Sequence, residues 1–224
     1  MTPQSRRVFL GSAVAAAAGS GALLMLPKEG LAQDDFGTAL DREMLAAVRL
    51  MARNQTGEGP RRVAGILRLM ALHHAPKDAG FRAALRAKVQ REGREALLQR
   101  TMDPIELEAN ARTFGFRFVI TPPNPPRAVR EKVLNEFLAH GLTPFRRLAA
   151  DGFDKASGDL DRRAGAIRPI IDHNEPCRMQ EMLYDTYTAG AAMTCAVLPG
   201  SPACFGITAA AITQLALLYY YGCR

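Results

Sequence analysis

Apolar residues recur along most of this chain at the spacing of a helix face. Leu40, Met44, Leu45, Val48 and Met51 share one side of a first helix. Val63, Ile66, Leu67 and Met70 form the i, i+3, i+4, i+7 stripe of a second, introduced by Gly57-Glu58-Gly59-Pro60. Phe81, Leu85, Val89 and Leu97-Leu98 suit a third, long and Arg-rich on its outer face. Asp103-Pro104 reads as an N-cap followed by proline at the first helical position, opening a short helix through Ala111. Val129, Val133, Leu134, Phe137 and Leu138 line another, which His140-Gly141 ends.

Three stretches depart from this periodicity. The aromatics of Phe114-Gly115-Phe116-Arg117-Phe118-Val119-Ile120 alternate, which predicts a short strand or extended arm. The four prolines of TPPNPP, 121–126, predict an extended spacer that subdivides the middle of the chain. GFDKASGDLDRRAG, 152–165, is polar and weakly periodic, and predicts a linker or frayed helix.

Beyond residue 177 the pattern changes. Arg178 to Ala196 is proline-free and helical in pattern, interrupted only by Gly190, and Phe205 to Tyr221 is apolar nearly all round except at Thr208, Thr213 and Gln214. Leu198-Pro199-Gly200-Ser201-Pro202 between them is a strong turn signal. An antiparallel helical hairpin is the economical reading, and the four cysteines test it. Cys177 lies 18 residues before Cys195, and Cys204 lies 19 before Cys223. At ~1.5 Å per residue the arms measure about 27 and 28.5 Å, equal within about one residue's rise. Joining Cys177 to Cys195, or Cys204 to Cys223, would link opposite ends of one helix, far beyond the ~7 Å Cα limit of a disulfide. The crossed pairing fails similarly for straight helices. Nested pairing, Cys195 with Cys204 at the turn and Cys177 with Cys223 at the open end, is the expectation. An all-round apolar helix belongs in a core or a membrane. The core is favoured here, because the partner arm carries Gln180, Glu181 and Asp185; a membrane-active hairpin, with Tyr219-Tyr220-Tyr221 at the interface, is the alternative.

Composition sharpens the division at 177. All five tyrosines lie beyond it, all four histidines before it, and eight of ten phenylalanines fall in 33–176. The net charge of +7 divides into +2 over 1–32, +5 over 33–176 and zero over 177–224. The excess in the middle is spread without a dense basic block, which argues against nucleic-acid binding.

The N-terminus carries Ser5-Arg6-Arg7-Val8-Phe9-Leu10, followed by an Ala/Gly-rich apolar run to Leu26 and by Gly30-Leu31-Ala32. Arg6, Arg7, Phe9 and Leu10 resemble the twin-arginine export motif. The resemblance implies a signal peptide over 1–32, cleaved between Ala32 and Gln33, a prokaryotic source, and the twin-arginine translocation machinery as a partner. It also implies a periplasmic or secreted protein. Disulfides persist outside the cytoplasm, and an even cysteine count agrees with that destination.

The expected architecture is all-α: a leader over 1–32, a multi-helix domain over 33–176 with a subdivision at 121–126, and a disulfide-stapled helical hairpin over 177–224. The sequence holds no Gly-rich phosphate loop, H-E-x-x-H or G-x-S-x-G motif, and its cysteine spacing matches no redox or zinc pattern. His73-His74 point about 100° apart on a helix and read as a partly buried helix-end pair. Asp172-His173-Asn174-Glu175 contains metal-ligating residue types but reads as a solvated link. No catalytic residue, cofactor or metal is assigned. The expectation is a non-catalytic exported protein whose hairpin completes the core or docks a protein partner. In layout and in the composition of 177–224 the chain also resembles halocin-type bacteriocin precursors. That resemblance implies a membrane-active hairpin released by proteolysis within 152–176, as at Arg162-Arg163. An enzyme of unfamiliar type, using His173 or the histidine pair, ranks last.

Overall fold

Each amphipathic stripe becomes a helix with its apolar side inward. The computed structural model describes residues 33–117, 124–164 and 174–223. Its regular structure is all-α: α1 (Gln33–Arg53), α2 (Glu58–His74), α3 (Asp78–Glu92), α4 (Arg94–Leu98), α5 (Pro104–Phe114), α6 (Arg127–His140), α7 (Thr143–Ala164), α8 (Asn174–Val197) and α9 (Pro202–Tyr220). A single 3-10 turn, Ala75–Lys77, joins α2 to α3. Gly37–Arg224 is one compact unit, and Met1–Phe36 is a second, of which only the opening residues of α1 are described. The compositional change at 177 therefore falls inside one unit. The Pro-rich spacer at 121–126 likewise does not divide that unit; of it, residues 121–123 lie outside the described residues.

Two antiparallel helix pairs form the frame. The first is α2 with α7. The Gly57 N–H donates to Asp161 Oδ1 at 3.0 Å, Arg68 pairs with Asp151 at 2.8 Å and Asp154 at 2.5 Å, and the Thr143 hydroxyl reaches the Ala71 carbonyl at 3.5 Å. Between these polar margins Val63, Leu67 and Met70 of α2 and Ala149, Ala150 and Phe153 of α7 are all buried. The second pair is α8 with α9, and α9 also packs against α2, α5 and α7. Aromatic rings knit the pairs together. Phe81 of α3 meets Phe137 of α6 edge-on (5.6 Å between centroids), Phe137 meets Phe145 of α7 (5.1 Å), and Phe145 meets Tyr187 of α8 (6.1 Å). Such edge-to-face pairs add about 0.5–1.5 kcal/mol each beyond burial.

Local structure differs from the sequence expectation in three places. The 152–164 stretch is not a linker. It is the second half of α7, where Phe153, Ala156, Ser157 and Leu160 keep the i, i+3, i+4, i+7 spacing and are buried. Small residues carry half of that stripe, so hydropathy hides it. The alternating aromatics do not begin a strand. Phe114 closes α5, the Gly115 N–H caps it on Arg112 O at 2.9 Å, Phe116 folds back onto Ala111 O at 3.0 Å, and Phe118-Val119-Ile120 lie outside the described residues. The long third helix is two, α3 and α4, with Gly93 between them.

Elsewhere the boundaries follow their chemistry. Asp103 caps α5 by accepting from Ile105 N at 2.9 Å, with Pro104 at the first helical position. Asn124-Pro125-Pro126 lead into α6 under the guanidinium of Arg130, which donates to Pro125 O at 2.7 Å and Leu98 O at 2.8 Å. α3, α4 and α6 expose an Arg-rich surface on which Glu92 gathers Lys88 (2.9 Å), Arg100 (2.9 Å) and Arg91 (3.3 Å), and Arg127 holds Glu95 (2.7 Å) and Glu131 (2.9 Å). Hydrogen bonding from Lys88, then from Arg100 and Arg91, holds the Glu92 carboxyl down at about 2.

Candidate functional site

The most specialised region is the hairpin. Ser201 starts α9: its hydroxyl accepts from Cys204 N at 3.2 Å and donates to Leu198 O at 2.7 Å. Pro202 occupies the first turn, where its missing N–H costs nothing. Cys195 is bonded to Cys204 across this turn (Cα–Cα 4.7 Å), and Cys177 to Cys223 at the open end (Cα–Cα 5.4 Å). The pairing is nested, so both ends of one two-helix unit are closed covalently. In the chain-entropy account the 46-residue span contributes about 4 kcal/mol alone and the 9-residue span about 3 kcal/mol.

α9 is buried on every side. It is long and apolar enough to cross a membrane, yet 83% of that span lies inside the protein. Its polar residues are all satisfied there. The Thr213 hydroxyl bonds Ala209 O at 2.7 Å, and the Thr208 hydroxyl meets the Cys195 sulfur at 3.6 Å. The Gln214 amide donates to Gln180 O at 3.2 Å and also to Gln180 Oε1. This buried amide pair ties the middle of α9 to the start of α8, one turn from Cys177, and fixes their register.

The tyrosine cluster anchors the same unit inward. The Tyr220 hydroxyl donates to Met51 O on α1, and the Tyr221 hydroxyl reaches Ala156 O on α7 at 3.5 Å. Arg163 lies over the Tyr221 ring, 4.1 Å from its centroid. Burial pushes the Tyr221 phenol up to about 12 and raises that of Tyr220. Arg162 and Arg163 are in the last turn of α7, so the dibasic pair is helical and both members are engaged, Arg162 by Asp159 and Arg163 by the Tyr221 ring. Gly190, which interrupts the α8 pattern, is a packing site: a Cβ there would lie 2.5 Å from Cζ of Phe145.

Arg6, Arg7, Phe9, Leu10 and Ala32 lie outside the described residues, as do Asp172 and His173; Gln33 opens α1. Asn174 and Glu175 are in the first turn of α8. His73 and His74 end α2 with ring centroids 4.8 Å apart, close to edge-on. Burial, together with Arg146 and His73, lowers His74 to about 4, and burial with Lys77 and Arg146 lowers His73. No group of three or more His, Cys, Asp or Glu residues poised for a metal occurs among the described residues.

No known protein family, curated protein or solved structure matches this chain.

Sequence reasoning passed over two residues that matter, Arg146 and Asp78. Arg146 is only 1% exposed. Its signal was present but faint: Arg146, Ala150 and Ser157 form a stripe on the flank of α7, next to the apolar one, and all three are buried.

Proposed function

We propose that this chain is an exported, non-catalytic helical protein whose oxidised α8–α9 hairpin completes the core, and that it acts by binding rather than by turnover. The observation that carries this reading is the all-round burial of α9, with its polar groups satisfied and both of its ends stapled. A helix so placed contributes most where it is. Releasing it would expose Ile207, Ile212, Leu215, Leu217 and Leu218, each at most 1% exposed, at about 25 cal/mol per Å² of apolar surface. The two disulfides fit an oxidising compartment, and Arg6-Arg7 would direct the chain to the translocation machinery.

Mass spectrometry of the exported protein tests the reading. The expected product is one intact chain beginning at Gln33 with both disulfides formed. A processed fragment beginning between residues 165 and 177 would instead support a halocin-like precursor. Replacing Arg6-Arg7 by Lys-Lys is expected to retain the protein inside the cell; unchanged export would remove the twin-arginine assignment.

A further inference from the structure

The first turn of α7 holds a charge that the hairpin reading does not use. Arg146 is buried at the meeting of α2, α3 and α7, and both terminal guanidinium nitrogens lack a hydrogen-bond partner. Asp78 is the acid beside it, but its carboxylate is already committed. Oδ1 accepts from Leu142 N at 3.2 Å and Oδ2 from Thr143 N at 3.0 Å, so Asp78 caps α7 from across the fold. Gly141 makes that approach possible: at φ +81°, a Cβ there would lie 2.8 Å from Cγ of Asp78. The cap is thus a built feature, and it leaves Arg146 without an ion-pair partner.

The surroundings are positive as well. Arg146 and Lys77, from the 3-10 turn, both act on His73 and His74, and Asp78 acts on Arg146 and on His74. The Nε2 of His74 is buried without a partner. One turn beyond Asp78, Arg82 donates one terminal N–H to Ala139 O at 3.0 Å and leaves its Nε buried and unbonded. A guanidinium cannot shed its proton at neutral pH: burial lowers Arg146 only to about 10. A buried charge of this kind is costly unless something hydrogen-bonds it.

We propose that Arg146 and His74 form a binding site for a small oxyanion of the phosphate or carboxylate kind. The two terminal N–H groups of Arg146 offer the parallel donors that such an anion accepts bidentately. His74 Nε2 supplies a third donor once the imidazole carries its proton there. His73 and His74 are part-exposed and Ala75–Lys77 exposed, which gives an anion a way in from water. Binding would supply the hydrogen-bond acceptors that Asp78 does not. The site is separate from the hairpin and does not depend on the exported-protein reading.

Thermal unfolding of the oxidised chain from Gln33, at constant ionic strength in chloride, tests this with inorganic phosphate and with acetate as probes. A saturable rise in Tm is expected with at least one of them. A stronger response to phosphate assigns a phosphate-type ligand, and an equal or stronger response to acetate assigns a carboxylate. Arg146→Gln is expected to abolish the saturable response. His74→Gln keeps the guanidinium, guards against a folding failure of the first variant, and is expected to weaken apparent affinity about tenfold, the loss of one charge-assisted hydrogen bond. In NMR titrations the His74 ring should bind its proton more readily once the anion is present, since the added charge opposes Arg146, His73 and Lys77. If neither probe gives a saturable rise, or Arg146→Gln responds like the wild type, the site does not exist.

Discussion

The α8–α9 hairpin and the α3–α6 region hold themselves together by different means. The hairpin closes on two disulfides and a buried amide pair around a helix with no exposed side. In α3, by contrast, only Phe81 and Leu85 are buried, and the outer surface of α3, α4 and α6 is laced with ion pairs, part-buried at Lys88–Glu92 and exposed at Arg127–Glu95. Exposed pairs trade water for each other at little net gain, whereas covalent closure and burial act on the whole folding equilibrium. The contrast teaches where this chain keeps its stability: in the stapled hairpin, not in the charged surface.

Breaking the outer staple should have the largest effect. Cys177→Ser with Cys223→Ser is expected to lower unfolding free energy by about 4 kcal/mol in urea titrations, and reductant, which opens both disulfides, should lower that of the wild type further. Next comes the tie between the arms. Gln214→Leu leaves the Gln180 amide buried and unpaired, and should cost about 1–3 kcal/mol. Gly190→Ala should cost a similar ~1–3 kcal/mol through overpacking against Phe145. Gly65→Ala on α2, where a Cβ meets nothing within 4 Å, is expected to stabilise by up to about 1 kcal/mol.

A pH measurement sharpens the comparison further. His74 has its folded pKa lowered from 6.5 to about 4, so the unfolded chain binds more protons between those values and stability falls as pH drops through them. Asp41 has the opposite sign: burial raises it from 3.8 to about 6, so the folded chain binds the extra proton and stability rises as pH falls through that window. In unfolding curves from pH 7 to 4, His74→Gln should remove the first trend and Asp41→Asn the second. The smallest effect belongs to the ion-paired surface. Glu95→Gln, which breaks the pair with Arg127, should leave the urea midpoint unchanged at high salt and move it barely at low salt.

Much of this fold could be read from residue spacing, because helix faces repeat whichever tertiary partner they meet. Val63, Ile66, Leu67 and Met70 all turn inward, and the equal arms between cysteines leave one sterically reasonable pairing. What escaped was carried by residues whose size, not hydropathy, decides their place. Ala156 and Ser157 hid the continuity of α7, and Gly93 split a stripe that looked unbroken. Phe114 alternates like a strand residue yet ends a helix, since the Gly115 cap is a backbone event that aromatic alternation obscures. Arg146 escaped for another reason: arginine is so seldom buried that the faint stripe it shares with Ala150 and Ser157 is easily passed over. The nesting of the hairpin was legible for the opposite reason, that two rigid rods admit few crosslinks.

The bond from Tyr220 to Met51 spans 169 positions and joins the last helix to the first one described. On the ribosome, α1, α2, α5 and α7 emerge before the helix they pack against exists. The faces they turn to it stay uncovered until α9 has left the exit tunnel. Termination ahead of α9 would not merely trim this protein. It would leave a shell with nothing to close upon, a substrate for proteases and chaperones rather than a shorter version of the whole.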